Sequence, residues 1–246
     1  MTTNLRHQRI LETIESNGAI SVKALTKLLY VSEATVRRDL SELEKSGMLK
    51  RTRGGAEPAI FVNRQIPLYI RENLDSAAKN EICKKAAELI SDGDTIFIDG
   101  SSTVLHLVNH ISRLKDITVV TYSIRAAELI ARNHIKTYCV GGLIMENSLV
   151  CIGQKAIDAA EGFNVDICFL SCKGLSLDGR FTDTSEEETA IRRAFMKNAK
   201  KTIFLMTNNK LGHSYLHTLC HADKVDSLIS DGDIPGQLWS KLKNHK

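Results

Sequence analysis

The chain contains no Cys-x-x-Cys pair, no apolar run long enough to cross a bilayer, and no apolar core behind its first residues, MTTNLRHQRI. Each absence removes a class of protein. Without closely spaced cysteine pairs, the usual zinc-ribbon and dithiol oxidoreductase motifs are missing. Without a signal core, secretion is not expected. Without roughly 20 consecutive apolar residues, no membrane-spanning helix is expected. The six cysteines, Cys83, Cys139, Cys151, Cys168, Cys172 and Cys220, lie partly in apolar runs and fit a reducing cytoplasm. Net charge is also scarce: at +4, any nucleic-acid surface must be a local patch. What is present, 43% hydrophobic and 25% charged residues, is ordinary soluble composition. A length of 246 residues suits two unequal domains.

Helical periodicity opens the chain in three short blocks. Leu5, Ile10, Leu11 and Ile14 line one face of a first helix that Asn17-Gly18 ends. Ser21 caps a second helix with Val22, Leu25, Leu28 and Leu29 inward, and Tyr30-Val31 makes the turn to a third. Ser32 is a natural N-cap there, with Glu33 in the first turn, where the helix dipole favours an anion. At about 100° per residue, Val36, Leu40 and Leu43 share an inner sector, while Ala34, Arg38 and Ser41 point outward, flanked by Thr35 and Arg37. Side chains near the start of such a helix are those that reach base edges in a major groove. Asp39, beside the buried sector, would repel phosphate and is expected to form an internal ion pair.

Between Glu44 and Glu57 every charged residue is positive: Lys45, Lys50, Arg51 and Arg53. The stretch Met48 to Gly55 alternates weakly and then turns, as a β-hairpin wing would, with Arg51 and Arg53 placed for phosphates or the minor groove. A charge run more commonly just solvates a helix face. Here the cap, helix spacing, outward arginine and basic wing agree with one another. The segment TVRRDLSELEKSGMLKRTRGGA, Thr35 to Ala56, resembles the winged helix-turn-helix signature of the DeoR family of bacterial transcriptional regulators. The resemblance covers most of the remaining chain as well.

A linker is expected over residues 58–75, after a DNA-binding domain of residues 1–57, with Ile60, Phe61, Val62 and Tyr69 suggesting that it packs somewhere. From residue 76 to 246 the pattern changes. Ile82, Ala86, Leu89 and Ile90 form a helix face, and apolar strands follow at 95–99, 117–121, 136–140, 166–170, 202–207 and 225–229. Strands alternating with helices predict a layered, mainly parallel α/β domain.

In such a sheet, ligands bind beyond the carboxyl ends of the strands. The first end reads Asp99-Gly100-Ser101-Ser102-Thr103, followed by a helix with Val104, Leu105, Val108 and Ile111 inward. A tight turn with hydroxyls beside free N–H groups favours a phosphate. Asp99 would repel that phosphate and therefore accepts from a ligand hydroxyl or braces the loop. Thr121-Tyr122-Ser123, Gly141-Gly142, Lys173-Gly174, Thr182-Asp183-Thr184 and Asn208-Asn209-Lys210 extend a small, donor-rich surface. It suits a small, polyhydroxylated anion.

DeoR regulators carry a C-terminal sensor domain similar to ribose-5-phosphate isomerase, and the loop from Asp99 to Thr103 matches the family's phosphate-binding D-G-x-[ST]-T. The resemblance thus implies a phosphorylated sugar or polyol as effector. It also makes Lys173 and the acidic run Glu186-Glu187-Glu188 family positions, with Glu187 and Glu188 the closest match. One departure stands out. Where the family commonly reads D-x-S-K, this chain reads Thr207-Asn208-Asn209-Lys210: the lysine is kept and the carboxylate is absent.

The expected function is an operator-binding regulator, a repressor by family habit, controlled by a sugar or polyol phosphate, without catalytic residues, cofactor or membrane partner. Paired half-sites require a homodimer or homotetramer. One alternative is a sugar-phosphate isomerase with an appended DNA-binding domain, with Asp183, Glu187, Glu188 and Lys173 as candidate acid–base groups. Another is a metal- or redox-sensing regulator. His106 and His110, and His213, His217 and His221 beside Cys220, stand four residues apart, a spacing that can gather imidazoles. No metal site is expected from them, and Cys168 and Cys172 read as buried structural thiols.

Overall fold

The computed structural model describes residues 3–45, 48–58 and 68–242. Ile60, Phe61 and Val62 lie outside the described residues. The chain forms two compact units that divide between residues 74 and 75.

In the first unit the elements run α1 (Thr3–Asn17), β1 (Ile20–Ser21), α2 (Val22–Leu29), α3 (Glu33–Lys45), β2 (Leu49–Thr52), β3 (Gly55–Pro58) and α4 (Leu68–Arg71). Gly18, at φ 72°, ends α1 in a conformation that costs other residues a steric penalty. The Ser21 hydroxyl accepts from the Ala24 amide at 3.1 Å and the Ser32 hydroxyl from the Thr35 amide at 3.2 Å, so both caps act as the sequence predicts. Strands β1, β3 and β2 make an antiparallel sheet in which Arg51 faces Ala56 and Thr52 faces Gly55. A side chain at Gly55 would run into the Ile20 carbonyl, so the wing closes only on glycine there.

Ile10, Ile14, Val22, Leu25, Leu29, Val36, Leu40 and Leu43 close the core between the three helices. Two expected members are outside it: Leu5 is 46% and Leu28 42% exposed. The buried stripe of α2 passes through Val22, Leu25 and Leu29, and Leu28 stands about 100° away from Leu29 around the axis. Part of the expected linker belongs to this unit. Leu68 and Ile70 of α4 are buried, and Ile70 joins the helical core.

The second unit runs α5 (Ser76–Ala87), β4 (Thr95–Ile98), α6 (Ser102–Leu105), α7 (Val108–Ile111), β5 (Thr118–Thr121), α8 (Ile124–Arg132), β6 (Lys136–Cys139), β7 (Leu143–Met145), β8 (Val150–Ile152), α9 (Gln154–Glu161), β9 (Val165–Leu170), β10 (Gly174–Leu175), β11 (Arg180–Asp183), α10 (Glu186–Lys197), β12 (Ala199–Leu205), β13 (His217–His221), β14 (Ser227–Ile229) and α11 (Gly236–Trp239). Six parallel strands are ordered β14-β12-β9-β4-β5-β6. Alternation along the strands builds two cores. Phe97, Val120, Cys168 and Phe204 enter one, while Ile96, Ile98, Val119 and Ile203 enter the other. Burial on both faces is what makes these strands nearly continuous apolar runs. Phe195 of α10 stacks on Phe97 with ring centroids 3.5 Å apart.

Short elements that the apolar runs do not announce complete the unit. Strands β10, β11 and β13 form a small antiparallel sheet, and β7 and β8 form a hairpin. The helix expected after the Asp99 loop is two short helices, α6 and α7, although Val104, Leu105, Val108 and Ile111 are all buried. Leu89, expected inward, is 47% exposed because α5 ends at Ala87 and the helical register does not continue to it.

Candidate DNA-reading surface and effector site

The recognition helix α3 is held from behind by a buried ion pair. Arg6 of α1 donates to Asp39 through Nε at 2.7 Å and Nη2 at 2.9 Å, and Asp39 is fully buried. His7, also buried, places Nε2 3.4 Å from Asp39 and 3.6 Å from Glu42. Asp39 is therefore the internal partner that its position predicts. Arg6 and His7 were not legible as its partners, because the contact joins two helices through residues, Arg6 and Asp39, that stand 33 apart in sequence.

The outer face of α3 carries exposed Ser32, Ala34, Arg37 and Arg38, with Thr35 and Ser41 half-buried at its margins. Arg37 lies 3.4 Å from Glu33, one turn earlier, which leaves Arg38 as the outward cation without an ion-pair partner among the described residues. On the wing, Lys50 pairs with Glu57 at 3.1 Å and Arg51 stands 4.0 Å from Glu44, which also accepts from the Arg51 amide at 2.9 Å. Arg53, at the hairpin turn, is exposed. An outward arginine near the helix start and a cation at the wing tip can meet base edges and phosphates respectively.

In the second unit, the carboxyl ends of β4, β9 and β12, three neighbouring strands, bring together a cation and hydroxyls. Lys210 Nζ lies 3.1 Å from Ser171 Oγ and 3.4 Å from Thr103 Oγ1. Ser171 was missed by sequence reasoning. Its signal is its place at the end of a central strand. Asp99 braces the loop: its two oxygens accept from the Ser101 and Ser171 amides, each at 2.9 Å, and it is fully buried. Ser101 caps α6 by accepting from the Val104 amide at 3.1 Å, leaving Ser102 and Thr103 as the further hydroxyls of the loop. A side chain at Gly100 would strike Val150, so the turn requires glycine for close packing.

Beside this lies a buried charge cluster centred on Arg192, only 3% exposed. Its guanidinium reaches Asp99 at 3.3 Å, Asp183 at 2.9 Å and Glu188 at 2.7 Å. Burial alone would raise the Asp183 pKa, but Arg192, the Thr184 amide and Lys173 outweigh it and hold the carboxyl below its ordinary value. Lys173 Nζ sits 6.0 Å from the centre of the Tyr215 ring. The i,i+4 spacing from Glu188 to Arg192 was the available signal for this centre. Ser185 caps α10 through the Glu188 amide at 3.1 Å, and Glu187 accepts from the Ser185 hydroxyl at 3.0 Å.

The remaining strand ends carry local turns. Thr121 Oγ1 accepts from the Ser123 amide at 3.0 Å, and Ser123 caps α8 through the Ala126 amide at 3.2 Å. Gly141 and Gly142 follow the edge strand β6, and Gly142 packs against Ile152 and Ala156. In the departed motif, Thr207 donates to Asn209 Oδ1 at 2.7 Å, and Asn209 Nδ2 donates to Asp75 at 3.2 Å. The only gathered group of three metal-ligating side chains among the described residues is His7, Asp39 and Glu42, not either histidine set.

A helical unit with an outward-facing third helix and a basic wing, joined to a parallel α/β unit with a polar site at its strand ends, defines a ligand-responsive DNA-binding regulator. The sequence comparisons are specific. Residues 6–59 match the DeoR-like helix-turn-helix domain and residues 74–232 the DeoR C-terminal sensor domain. The chain belongs to the DeoR family of transcriptional regulators. It is 32% identical to the HTH-type transcriptional regulator GolR of Listeria innocua, over 97% of this chain and 94% of that one. It is 32% identical to the HTH-type transcriptional repressor GlcR of Bacillus subtilis, over 95% and 90% of the two chains. With the glycerol-3-phosphate regulon repressor of Escherichia coli the identity is 28%, over 100% and 97%. Among solved structures, eIF2B delta from Chaetomium thermophilum shares the fold at TM-score 0.50 and 16% identity, over 68% of this chain and 60% of that one. A D-ribose-5-phosphate isomerase in complex with phospho-erythronic acid aligns at TM-score 0.44 and 16% identity, over 57% and 56%.

Proposed function

We propose that this regulator is a repressor of a carbohydrate-utilisation operon, whose operator affinity is set by a phosphorylated sugar or polyol held at the strand ends of the α/β unit. The observation that carries the effector reading is Lys210 standing within 3.1 Å of Ser171 and 3.4 Å of Thr103. A lysine ammonium among hydroxyls and loop amides offers charge-assisted hydrogen bonds to phosphate oxygens. Ser102, Thr103, Ser171 and Lys210 form the phosphate end. Lys173, Asp183 and Glu188 face the hydroxylated end, with Gly141 and Gly142 at its margin. Asp99, Ser101, Thr121 and Ser123 support the site by holding loops. The printed name of the Escherichia coli relative, a glycerol-3-phosphate regulon repressor, supports a phosphorylated polyol as the class.

On the DNA side, Arg38 reads a base edge, with Ala34, Thr35, Arg37 and Ser41 around it; Ser32, Lys50, Arg51 and Arg53 serve the backbone. Two copies read the two halves of the operator. The effector acts by binding one of two states of the sensor more tightly, since only differential affinity moves such an equilibrium. An isomerase reading is weaker, because Asp183 and Glu188 are both engaged by Arg192, and a carboxylate so held is a poor proton acceptor. Operator release measured with phosphorylated sugars and polyols, for the parent chain and Lys210→Ala, tests the assignment. Release in the parent and none in the variant is expected.

A further inference from the structure

His7 of α1 is buried, yet neither nitrogen of its ring makes a hydrogen bond among the described residues. A buried imidazole in that condition requires a reason. Its Nε2 meets two carboxylates of the recognition helix, 3.4 Å from Asp39 Oδ1 and 3.6 Å from Glu42 Oε2. Asp39 and Glu42 stand at i and i+3 of α3, so they share one face of it. One donor atom from each of the three residues lies within 4.8 Å of the other two. The two measured separations are long for hydrogen bonds, and they match the spacing around a metal ion. Bonds of about 2.0–2.2 Å from a tetrahedral centre set neighbouring donors about 3.3–3.6 Å apart.

The surroundings leave those donors usable. Arg6 holds Asp39 with Nε on Oδ2 at 2.7 Å and Nη2 on Oδ1 at 2.9 Å. A carboxylate oxygen has two lone pairs, so Oδ1 keeps one for an ion while Arg6 fixes the direction of the group. The side chain of Glu42 is half exposed, which gives an ion its entry path and a water its place as fourth ligand.

We propose that His7 Nε2, Asp39 Oδ1 and Glu42 Oε2 form a binding site for a divalent transition metal of the zinc class. One imidazole with two carboxylate oxygens suits zinc, cobalt or nickel, whereas copper(I) selects thiolates and calcium takes six or more oxygens. The ion joins α1 to α3 beside the Arg6 clasp and so braces the helix that carries Arg38. The site belongs wholly to the first unit, and it does not depend on the effector reading.

The test is a titration of the full chain, first stripped with a chelator, with cobalt(II) followed by visible absorption and with zinc(II) followed by thermal shift. The parent chain should bind one cobalt ion with the intense bands of a four-coordinate site, zinc should displace it, and zinc should raise the melting midpoint by mass action. Glu42→Gln, a change at a half-exposed side chain, should weaken cobalt binding by about 10–100-fold or more, since losing even an outer partner of a metal ligand costs that much. His7→Gln should abolish the bands, and circular dichroism checks that both variants are folded. A parent chain that shows neither the bands nor the zinc shift, or binding that survives both substitutions at parental affinity because the metal sits on other histidines or cysteines, would overturn the proposal.

Discussion

Arg6 clasps Asp39 with two nitrogens, at 2.7 and 2.9 Å, in a setting closed to solvent. The pair ties α1 to the back of the recognition helix, so Asp39 sets where Arg38, its neighbour, projects. Breaking a buried pair by removing one partner leaves an uncompensated charge and costs about 3–5 kcal/mol. Arg6→Ala is expected to lower the unfolding free energy of the first unit by that order. Chemical denaturation followed by helix signal would show it. A change within the range of ordinary surface substitutions, about 0.5 kcal/mol, would mean that the pair is not holding the helix.

Arg38→Ala should weaken specific operator binding by about 1–3 kcal/mol and leave nonspecific binding little changed, because a base-edge contact is lost and few phosphates are. Competition binding against scrambled DNA reads both. Equal losses on the two sequences would remove Arg38 from base reading.

Arg53→Ala should weaken all sequences alike and reduce the slope of log affinity against log salt by about 1, as expected for one lost phosphate contact. Arg51 is the poorer choice for this test, since Glu44 already lies 4.0 Å away and shares its charge. An unchanged salt slope for Arg53→Ala would place the wing tip off the DNA.

Asp183 links stability to pH. Its folded pKa lies below its ordinary value, chiefly because Arg192 more than offsets burial, so folding favours the charged carboxylate. A depressed carboxylate contributes fully above its unfolded pKa, about 3.9, and that contribution fades as pH falls through the folded value. The melting-temperature gap between the parent chain and Asp183→Asn should therefore be constant from neutrality down to about pH 5 and shrink below it. A gap that widens on acidification would contradict this role.

Much of this architecture was readable because the relevant patterns are short-range. The caps at Ser21 and Ser32, the Val36-Leu40-Leu43 stripe and the main apolar strands depend on neighbours one or two turns away. Asp39 could be recognised as internal from its angular position, but naming Arg6 required the tertiary structure. The same holds at the sensor site. Asp99, Ser102, Thr103 and Lys210 stood out as loop residues at strand ends, whereas the central position of Arg192 arises from three separate chain segments. Short strands such as Gly174–Leu175 and Leu143–Met145 carry too few residues for period-two alternation to show. Leu5, Leu28 and Leu89 were misread because an apolar residue near a helix end, or one position off the stripe, fits the pattern without being covered.

The most direct measurement is a thermal-shift screen of the full chain and Lys210→Ala against phosphorylated sugars and polyols, each beside its unphosphorylated parent. A ligand that binds the folded state raises the midpoint by mass action. The account predicts a shift with a phosphorylated compound, none with its parent, and loss of that shift in the variant. A shift of the same size with the unphosphorylated parent, or one retained in Lys210→Ala, would contradict it.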